Sequence, residues 1–214
     1  MTHRAFIGLA IVSGFSLACG PPPEAQLPPE ILVADPPPTA GGIAPGAGQQ
    51  NFDRALAYLK RGAYAQALPE LQKTLRVQQT NAEAWYYMGL CQDQLGKRPQ
   101  AAQSYERAIL LKPSLTEPRI NLAAIYLEPP LQTARAIELL IAALKQQPKA
   151  PDIHENLGYA HGLNKDHARS ADHYRQASAL GPNPRVSLAY GDVLFAQRKF
   201  AEAATQYKEI GRAS

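Results

Sequence analysis

Histidine and cysteine are the side chains through which this chain of 214 residues could do metal or nucleophilic chemistry. Four of its five histidines lie close together in the sequence: His154, His161, His167 and His173. Imidazoles bind zinc when three or four ligands converge, and Cys91 would be reactive only as an accessible thiolate. Whether these side chains form a reactive site or pack in the interior therefore depends on the secondary-structure elements that carry them.

Other signatures of catalysis are missing from the sequence. It contains no glycine-rich phosphate loop, no Gly-x-Ser-x-Gly, no paired-carboxylate arrangement and no Cys-x-x-Cys. The chain has 22 Lys and Arg against 18 Asp and Glu, and a net charge of +4 does not favour binding to nucleic acid. We predict a protein that is not an enzyme, needs no cofactor and acts on no small-molecule substrate.

A second cysteine has a setting that suits a different chemistry. Cys19 ends an apolar run, residues 5–18, which follows Arg4; 14 residues suit a signal-peptide core better than a membrane span. The junction resembles a bacterial lipobox, although Ser16 stands where that motif prefers Leu. The resemblance implies that residues 1–18 are a signal peptide and that Cys19 is the lipidated mature N-terminus. The alternative is an ordinary secretory signal with an incidental cysteine.

The segment after Cys19 is rich in proline. Residues 20–47 hold nine of the 19 prolines. Proline lacks a backbone donor and restrains its predecessor, so we expect no helix here and describe 19–47 as the lipidated cysteine and its tether. Gly20 stands where Asp tends to mark inner-membrane retention, so the lipoprotein resemblance implies a lipid anchor in the outer membrane, facing the periplasm. The alternative is a secreted or soluble periplasmic protein.

The rest of the chain is a repeat. Three series of positions keep step at intervals of 33 to 35 residues. The first series holds only small residues: Ala55, Gly89, Ala123, Gly158 and Gly191. The second is Ala67, Ala101, Ala136, Ser170 and Ala203, and the third is Leu71, Tyr105, Leu140, Tyr174 and Tyr207. Small residues permit close helix approach, and the larger ones of the third series fill the space between helical hairpins.

This pattern resembles the tetratricopeptide repeat, a 34-residue helical hairpin. The second unit carries the motif best, with Trp85, Met88, Gly89, Ala101, Tyr105, Ala108 and Pro113. The resemblance implies an all-α, right-handed superhelix of about five hairpins over 48–214. Its units lie near 48–81, 82–115, 116–150, 151–183 and 184–214.

The resemblance also decides the chemistry of the histidines. His154 and His161 occupy positions where the repeat has Trp and Tyr, which implies packing rather than metal binding. Cys91 lies on the packed side of its unit, where a lone thiol belongs to the core. We expect Gly62, Gly96 and Gly181 to take left-handed conformations at helix ends. The predicted helices are 50–61, 64–78, 82–95, 98–111, 116–127, 131–146, 151–163, 167–180, 184–197 and 200–211.

The remaining candidate for function is the concave groove that the first helices of such units line. Its predicted partner-binding residues are Phe52, Leu56, Tyr86, Leu90, Asp93, Ile120, Asn121, Asn156, Tyr159 and Asp192. Asn121 and Asn156 match an asparagine of the family whose amide can hold the backbone of a bound peptide, or contact nothing. The apolar majority favours a protein partner that inserts a peptide or helix.

A weaker resemblance concerns the biological role. The stretch Glu155-Asn156-Leu157-Gly158, with the later apolar stretch at residues 187–195, is similar to the pilotin-type lipoproteins of type IV pilus biogenesis. It implies a membrane-anchored scaffold or assembly factor of the bacterial envelope that assists a secretin. The alternative is a general periplasmic chaperone adaptor that binds an apolar peptide or helix in its groove.

Overall fold

The computed structural model describes residues 46–212, with side chains described up to residue 210. The predicted signal peptide, Cys19 and nearly all of the tether lie outside the described residues. Within them the chain forms ten helices and no strand: α1 Ala47–Leu59, α2 Tyr64–Val77, α3 Ala82–Gln94, α4 Arg98–Leu111, α5 Glu117–Tyr126, α6 Thr133–Gln146, α7 Pro151–Leu163, α8 His167–Leu180, α9 Pro184–Ala196 and α10 Phe200–Arg212. None of these helices is long and apolar enough to cross a membrane.

Consecutive helices pair into five hairpins over the described residues, from α1–α2 to α9–α10, and each hairpin stacks on the next. The observed helix ends agree with the predicted ends to within three residues. The longest turn inside a hairpin is the third, residues 127–132, where the repeat carries its extra residue. The order of elements is therefore the one that the repeat period predicts.

Small residues bring the two helices of a hairpin together. A Cβ atom added to Gly89 of α3 would lie 2.7 Å from the ring of Tyr105 in α4. The ring occupies the space that a side chain at position 89 would need, and Tyr105 is fully buried. The same relation holds between Gly158 and Tyr174, where the added atom would lie 2.9 Å away. The first and third hairpins instead place Ala55 with Leu71 and Ala123 with Leu140, all fully buried.

Three apolar clusters run along the described residues. One joins the first two hairpins around Leu71, the largest spans the second to fourth hairpins around Leu140 and Leu157, and the third joins the last two around Tyr174. Since no hairpin could bury its apolar face alone, stacking supplies the core, as in other solenoids.

Left-handed residues mark the turns inside the hairpins. Gly62 and Gly96 have φ of 69° and 73°, as predicted. The prediction for Gly181 is wrong, because its φ of 169° is extended backbone between two hairpins. The fourth and fifth hairpins instead use Lys165 and Arg198, with φ of 58° and 61°. Four of the five turns inside hairpins thus contain a left-handed residue, with or without glycine, and the third turn is the exception.

Candidate partner-binding groove

The first helices of the hairpins line the inner side of the stack. α3 contacts α5 and α7 contacts α9, although another helix separates each pair in sequence. Second helices of neighbouring hairpins do not approach one another to this extent within the described residues. A stack whose odd-numbered helices lie closer together curves towards them, so these helices form its concave face.

An aromatic patch, defined here as Tyr86 and Tyr87, lies on the concave face of α3. The two rings have centroids 4.9 Å apart. Phe52 of α1 lies 6.0 Å from Tyr87, and Tyr105 of α4 lies 6.2 Å from Tyr86. Burial, with the charge of Glu117, raises the pKa of Tyr86 to about 12, so its hydroxyl stays protonated. The patch offers partly buried rings with polar ends, which suits a protein interface.

The sequence prediction did not include Tyr87. It occupies the same place in the second unit as Asn121 and Asn156 do in the third and fourth units. That correspondence could have identified it. Phe52 and Ile120 are two of the predicted groove residues. The structure places them within the core at 7% and 8% exposure, so they pack beneath the groove surface.

The two groove asparagines differ in their surroundings. Asn121 Nδ2 donates a hydrogen bond of 3.4 Å to the hydroxyl of Tyr105 in the preceding hairpin. The residue that corresponds to Tyr105 in the next hairpin is Leu140, which has no hydroxyl. Asn156 accordingly makes no hydrogen bond through its side chain within the described part of the chain. Its amide, partly exposed, can both donate to and accept from a bound backbone.

The predicted acidic residues are already engaged. Asp93 lies 4.0 Å from Arg98, which also pairs with Glu128 at 2.5 Å. Burial raises the pKa of Asp93, with Arg98 opposing the shift and Glu128 adding to it. Asp192 accepts a hydrogen bond of 2.9 Å from the hydroxyl of Tyr207. These carboxylates shape the groove more than they offer charge to a partner.

The apolar groove residues are partly exposed. Leu56 and Leu90 pack against the first core cluster, and Tyr159 bridges the second and third clusters. Each keeps part of its surface open on the concave side. Together with the aromatic patch and Asn156, they form a row of anchors from the first to the fourth hairpin.

Three histidines do converge, between α7 and α8. His154 Nδ1 lies 3.1 Å from His173 Nδ1, and the rings of His161 and His173 stack with centroids 5.5 Å apart. Burial lowers the pKa of both His161 and His173. Among the described residues no group of three or more His, Cys, Asp or Glu could hold a metal ion. The histidines fill the interior of the hairpin.

Cys91 belongs to the first core cluster. Its side chain is fully buried, and burial raises the pKa of the thiol to about 12. The thiolate that nucleophilic chemistry requires is therefore unavailable at neutral pH.

A curved stack of helical hairpins with small residues at each internal crossing defines an α-solenoid scaffold. The family model described as "Tetratricopeptide repeat" matches residues 52–115, 132–183 and 165–214. The chain belongs to the tetratricopeptide repeat family and is a scaffold for protein–protein interaction. This fold is typically non-enzymatic.

Two relatives come from Pseudomonas aeruginosa. The Type IV pilus assembly protein PilF is 26% identical over 155 residues, which are 71% of this chain and 61% of that protein. The Probable biofilm formation methyltransferase WspC is 27% identical over 116 residues, 54% of this chain and 27% of that protein. The chain thus spans less than two thirds of either relative.

Solved structures of similar proteins share this all-helical repeat fold. A structure of PilF from Pseudomonas aeruginosa has a TM-score of 0.70 at 21% identity and covers 79% of this chain and 78% of its own. A structure of MamA from Desulfovibrio magneticus RS-1 has a TM-score of 0.72 at 20% identity, covering 78% and 97%. At these identities the likeness shows the fold alone.

Proposed function

We propose that this protein is a membrane-anchored assembly factor of the bacterial cell envelope, held by a lipid on Cys19, whose groove binds an apolar segment of a partner protein. The observation that carries the proposal is the concave row of apolar anchors that ends at Asn156, whose amide has no partner among the described residues. Anchors in a groove bind side chains, and an amide beside them fixes the backbone of the bound segment.

Within that role, the partner is a secretin subunit of a type IV pilus. Support comes from the likeness to a protein named for type IV pilus assembly over 71% of this chain. A secretin subunit carries strands that are unpaired until its ring forms, and unpaired strand edges aggregate. A groove with apolar anchors and a free amide can shield such a segment until assembly.

A deletion strain tests the role. Without the gene, we expect secretin monomers instead of heat-stable multimers, and loss of twitching motility. Complementation with Asn156→Ala combined with Leu90→Ala should fail to restore multimers, whereas Leu110→Ala on the convex side should restore them. Normal multimers in the deletion strain would refute the pilus role.

The same strain distinguishes the alternative of a general periplasmic chaperone adaptor. A photo-crosslinking residue at position 87 should capture one predominant partner if the protein is a dedicated assembly factor, and many partners if it is a general adaptor. The same residue at position 107, on the second helix of the second hairpin, is the matched control.

The lipid anchor has its own test. Cys19→Ser should release the protein from membranes or block its processing. A wild-type protein that is soluble and cleaved at another residue would contradict the anchor and leave the groove proposal intact.

A further inference from the structure

The turns inside the hairpins all lie on one edge of the stack. Because consecutive helices run antiparallel, every first helix ends at the same edge, where the second helix of its hairpin begins. We call this the hairpin-turn edge, and it consists of residues 60–63, 95–97, 127–132, 164–166 and 197–199.

Unpaired cations concentrate on this edge. Six exposed lysines and arginines there have no ion pair or side-chain hydrogen bond within residues 46–210: Lys60, Arg61, Lys97, Lys165, Arg198 and Lys199. Near the opposite edge Lys112 pairs with Glu83 at 3.1 Å and Arg185 with Glu155 at 2.9 Å. Three further cations there are exposed without an ion pair or side-chain hydrogen bond in the described part of the chain: Arg76, Lys145 and Lys149. Unpaired cations are thus most numerous at the hairpin-turn edge, and the net charge of the whole chain does not reveal this.

Exposed large apolar side chains accompany these cations. Phe195 is 58% exposed, Phe200 56% and Leu131 51%, and Leu95 is exposed in the second turn. The rings of Phe195 and Phe200 meet edge to face, with centroids 5.2 Å apart, on both sides of Arg198 and Lys199. Both exposed phenylalanines of the described residues thus lie on the edge that carries the unpaired cations.

We infer that the hairpin-turn edge docks on the surface of an anionic phospholipid bilayer. Lysine and arginine are attracted to anionic headgroups, and phenylalanine and leucine enter the interface between headgroups and acyl chains. An acidic peptide would neutralise the cations but leave Phe195 and Phe200 in water. The third turn, residues 127–132, contains no lysine or arginine and contributes Leu131 instead. Its Glu128 pairs with Arg98 of the second hairpin.

This contact adds to the proposed lipid anchor and does not depend on it. Docked by its turn edge, the stack would stand with its helix axes pointing towards the membrane, and the concave face would stay open to the side. A partner segment that emerges from the same membrane could then enter the groove without crossing the protein.

Vesicle binding by the chain from residue 20 tests the inference, because that chain lacks Cys19 and the apolar run. It retains the whole core, since the three apolar clusters consist of residues 52–193. Co-sedimentation is measured with vesicles of equal parts phosphatidylglycerol and phosphatidylcholine, and with phosphatidylcholine alone. The edge variant carries Lys60→Gln, Arg61→Gln, Lys97→Gln and Lys199→Gln. Its control, with the same change in charge, carries Arg76→Gln, Arg107→Gln, Lys145→Gln and Lys208→Gln.

We expect the wild-type chain to bind the anionic vesicles only, the edge variant to bind them more than about tenfold more weakly, and the control to bind nearly as well as the wild type. Equal losses in the two variants would reduce the effect to net charge and overturn the inference. So would absence of wild-type binding to the anionic vesicles. Circular dichroism of each variant confirms that the repeat remains folded.

The apolar part of the contact has a separate pair of variants. Phe195→Ser with Phe200→Ser should weaken binding several-fold, whereas Leu110→Ser with Ile141→Ser, which are exposed elsewhere, should not. If the phenylalanine variant binds as the wild type does while the cation variant fails, the edge is an electrostatic site for an acidic protein segment, and the bilayer assignment is wrong.

Discussion

The five hairpins achieve the same close packing in two ways. In the second, fourth and fifth hairpins a glycine of the first helix faces a tyrosine of the second helix. In the first and third hairpins an alanine is paired with a leucine instead. The small and large positions change together, so the combined volume at each crossing is maintained while its chemistry differs. Interiors are close-packed, and a change at one position requires compensation at its neighbour.

The difference between the two kinds of hairpin reaches the groove. A tyrosine carries its hydroxyl to the concave side, where the hydroxyl of Tyr105 accepts from Asn121 and that of Tyr207 donates to Asp192. Leu140 cannot do this, and Asn156 is left without a partner in the described structure. The choice between packing pairs thus determines which groove amides remain free for a ligand.

The largest expected effect is a loss of stability, and we compare it at two tyrosines that each face a glycine of their hairpin. Tyr105→Ala should destabilise the fold by about 3–5 kcal/mol, because it opens a cavity in the interior of the stack. Tyr207→Ala should cost only about 1–2 kcal/mol, because Tyr207 is partly exposed in the last hairpin. Urea unfolding measures both. Equal losses would show that burial does not distinguish the two positions.

A double-mutant cycle tests whether the pairs are interchangeable. Gly89→Ala should destabilise by about 1–3 kcal/mol, because its Cβ would lie 2.7 Å from the Tyr105 ring. Adding Tyr105→Leu creates the alanine–leucine pair of the other hairpins and should recover most of that cost.

Gly162→Ala is the matched control for this cycle. Its added Cβ would meet Ser170 Oγ at 3.4 Å, an ordinary contact, so no loss of stability is expected. Strictly additive effects of Gly89→Ala and Tyr105→Leu would contradict the compensation between small and large residues.

We expect the second and fourth hairpins, both of the glycine–tyrosine kind, to differ in their response to pH. Burial lowers the pKa of both His161 and His173. At His161 the charge of Arg169 lowers the pKa further, and Asp166 opposes the shift. At His173 nearby His154 lowers the pKa further, and Asp172 opposes the shift. A group whose folded pKa is lowered binds fewer protons in the folded state than in the unfolded state. Stability should therefore be complete above the unfolded pKa of about 6.5 and decline as the pH falls through it.

The second hairpin supplies the control for this pH effect. At the places of His161 and His173 it has Gln92 and Ser104, joined by a hydrogen bond of 2.6 Å that does not titrate in this range. His161→Gln with His173→Ser should flatten the loss of stability between pH 7 and pH 5, followed by thermal melting. A loss of unchanged size in this variant would assign the acid sensitivity to other groups.

The sequence predicted which positions of each repeat unit are packed better than it predicted contacts between neighbouring hairpins. The period revealed the glycine and tyrosine series as packing positions, because every unit repeats the same internal geometry. It placed the tyrosines between hairpins, whereas the rings of Tyr105 and Tyr174 pack against the glycine of their own hairpin. It did not identify the amide of Asn156 as unpaired within the described residues, since that depends on which residue of the neighbouring hairpin lies opposite. Tyr87 was missed although it shares its place in the repeat with Asn121 and Asn156. Residues 1–45 were interpreted from composition and motif, and the lipid anchor at Cys19 stays a prediction.

The smallest expected effect is a change of stability at the left-handed residues in the turns inside the hairpins. Gly62 and Gly96 adopt the left-handed conformation without steric cost, whereas Lys165 and Arg198 adopt it with a Cβ atom. Lys165→Gly should therefore stabilise the fold by about 0.5–1 kcal/mol, and Gly96→Ala should destabilise it by about 1 kcal/mol. Lys165→Ala separates backbone from charge, because it removes the ammonium group and keeps the Cβ atom. If thermal melting shows the same gain for Lys165→Ala as for Lys165→Gly, the gain comes from relief of charge repulsion along the hairpin-turn edge, and the left-handed turn carries no strain.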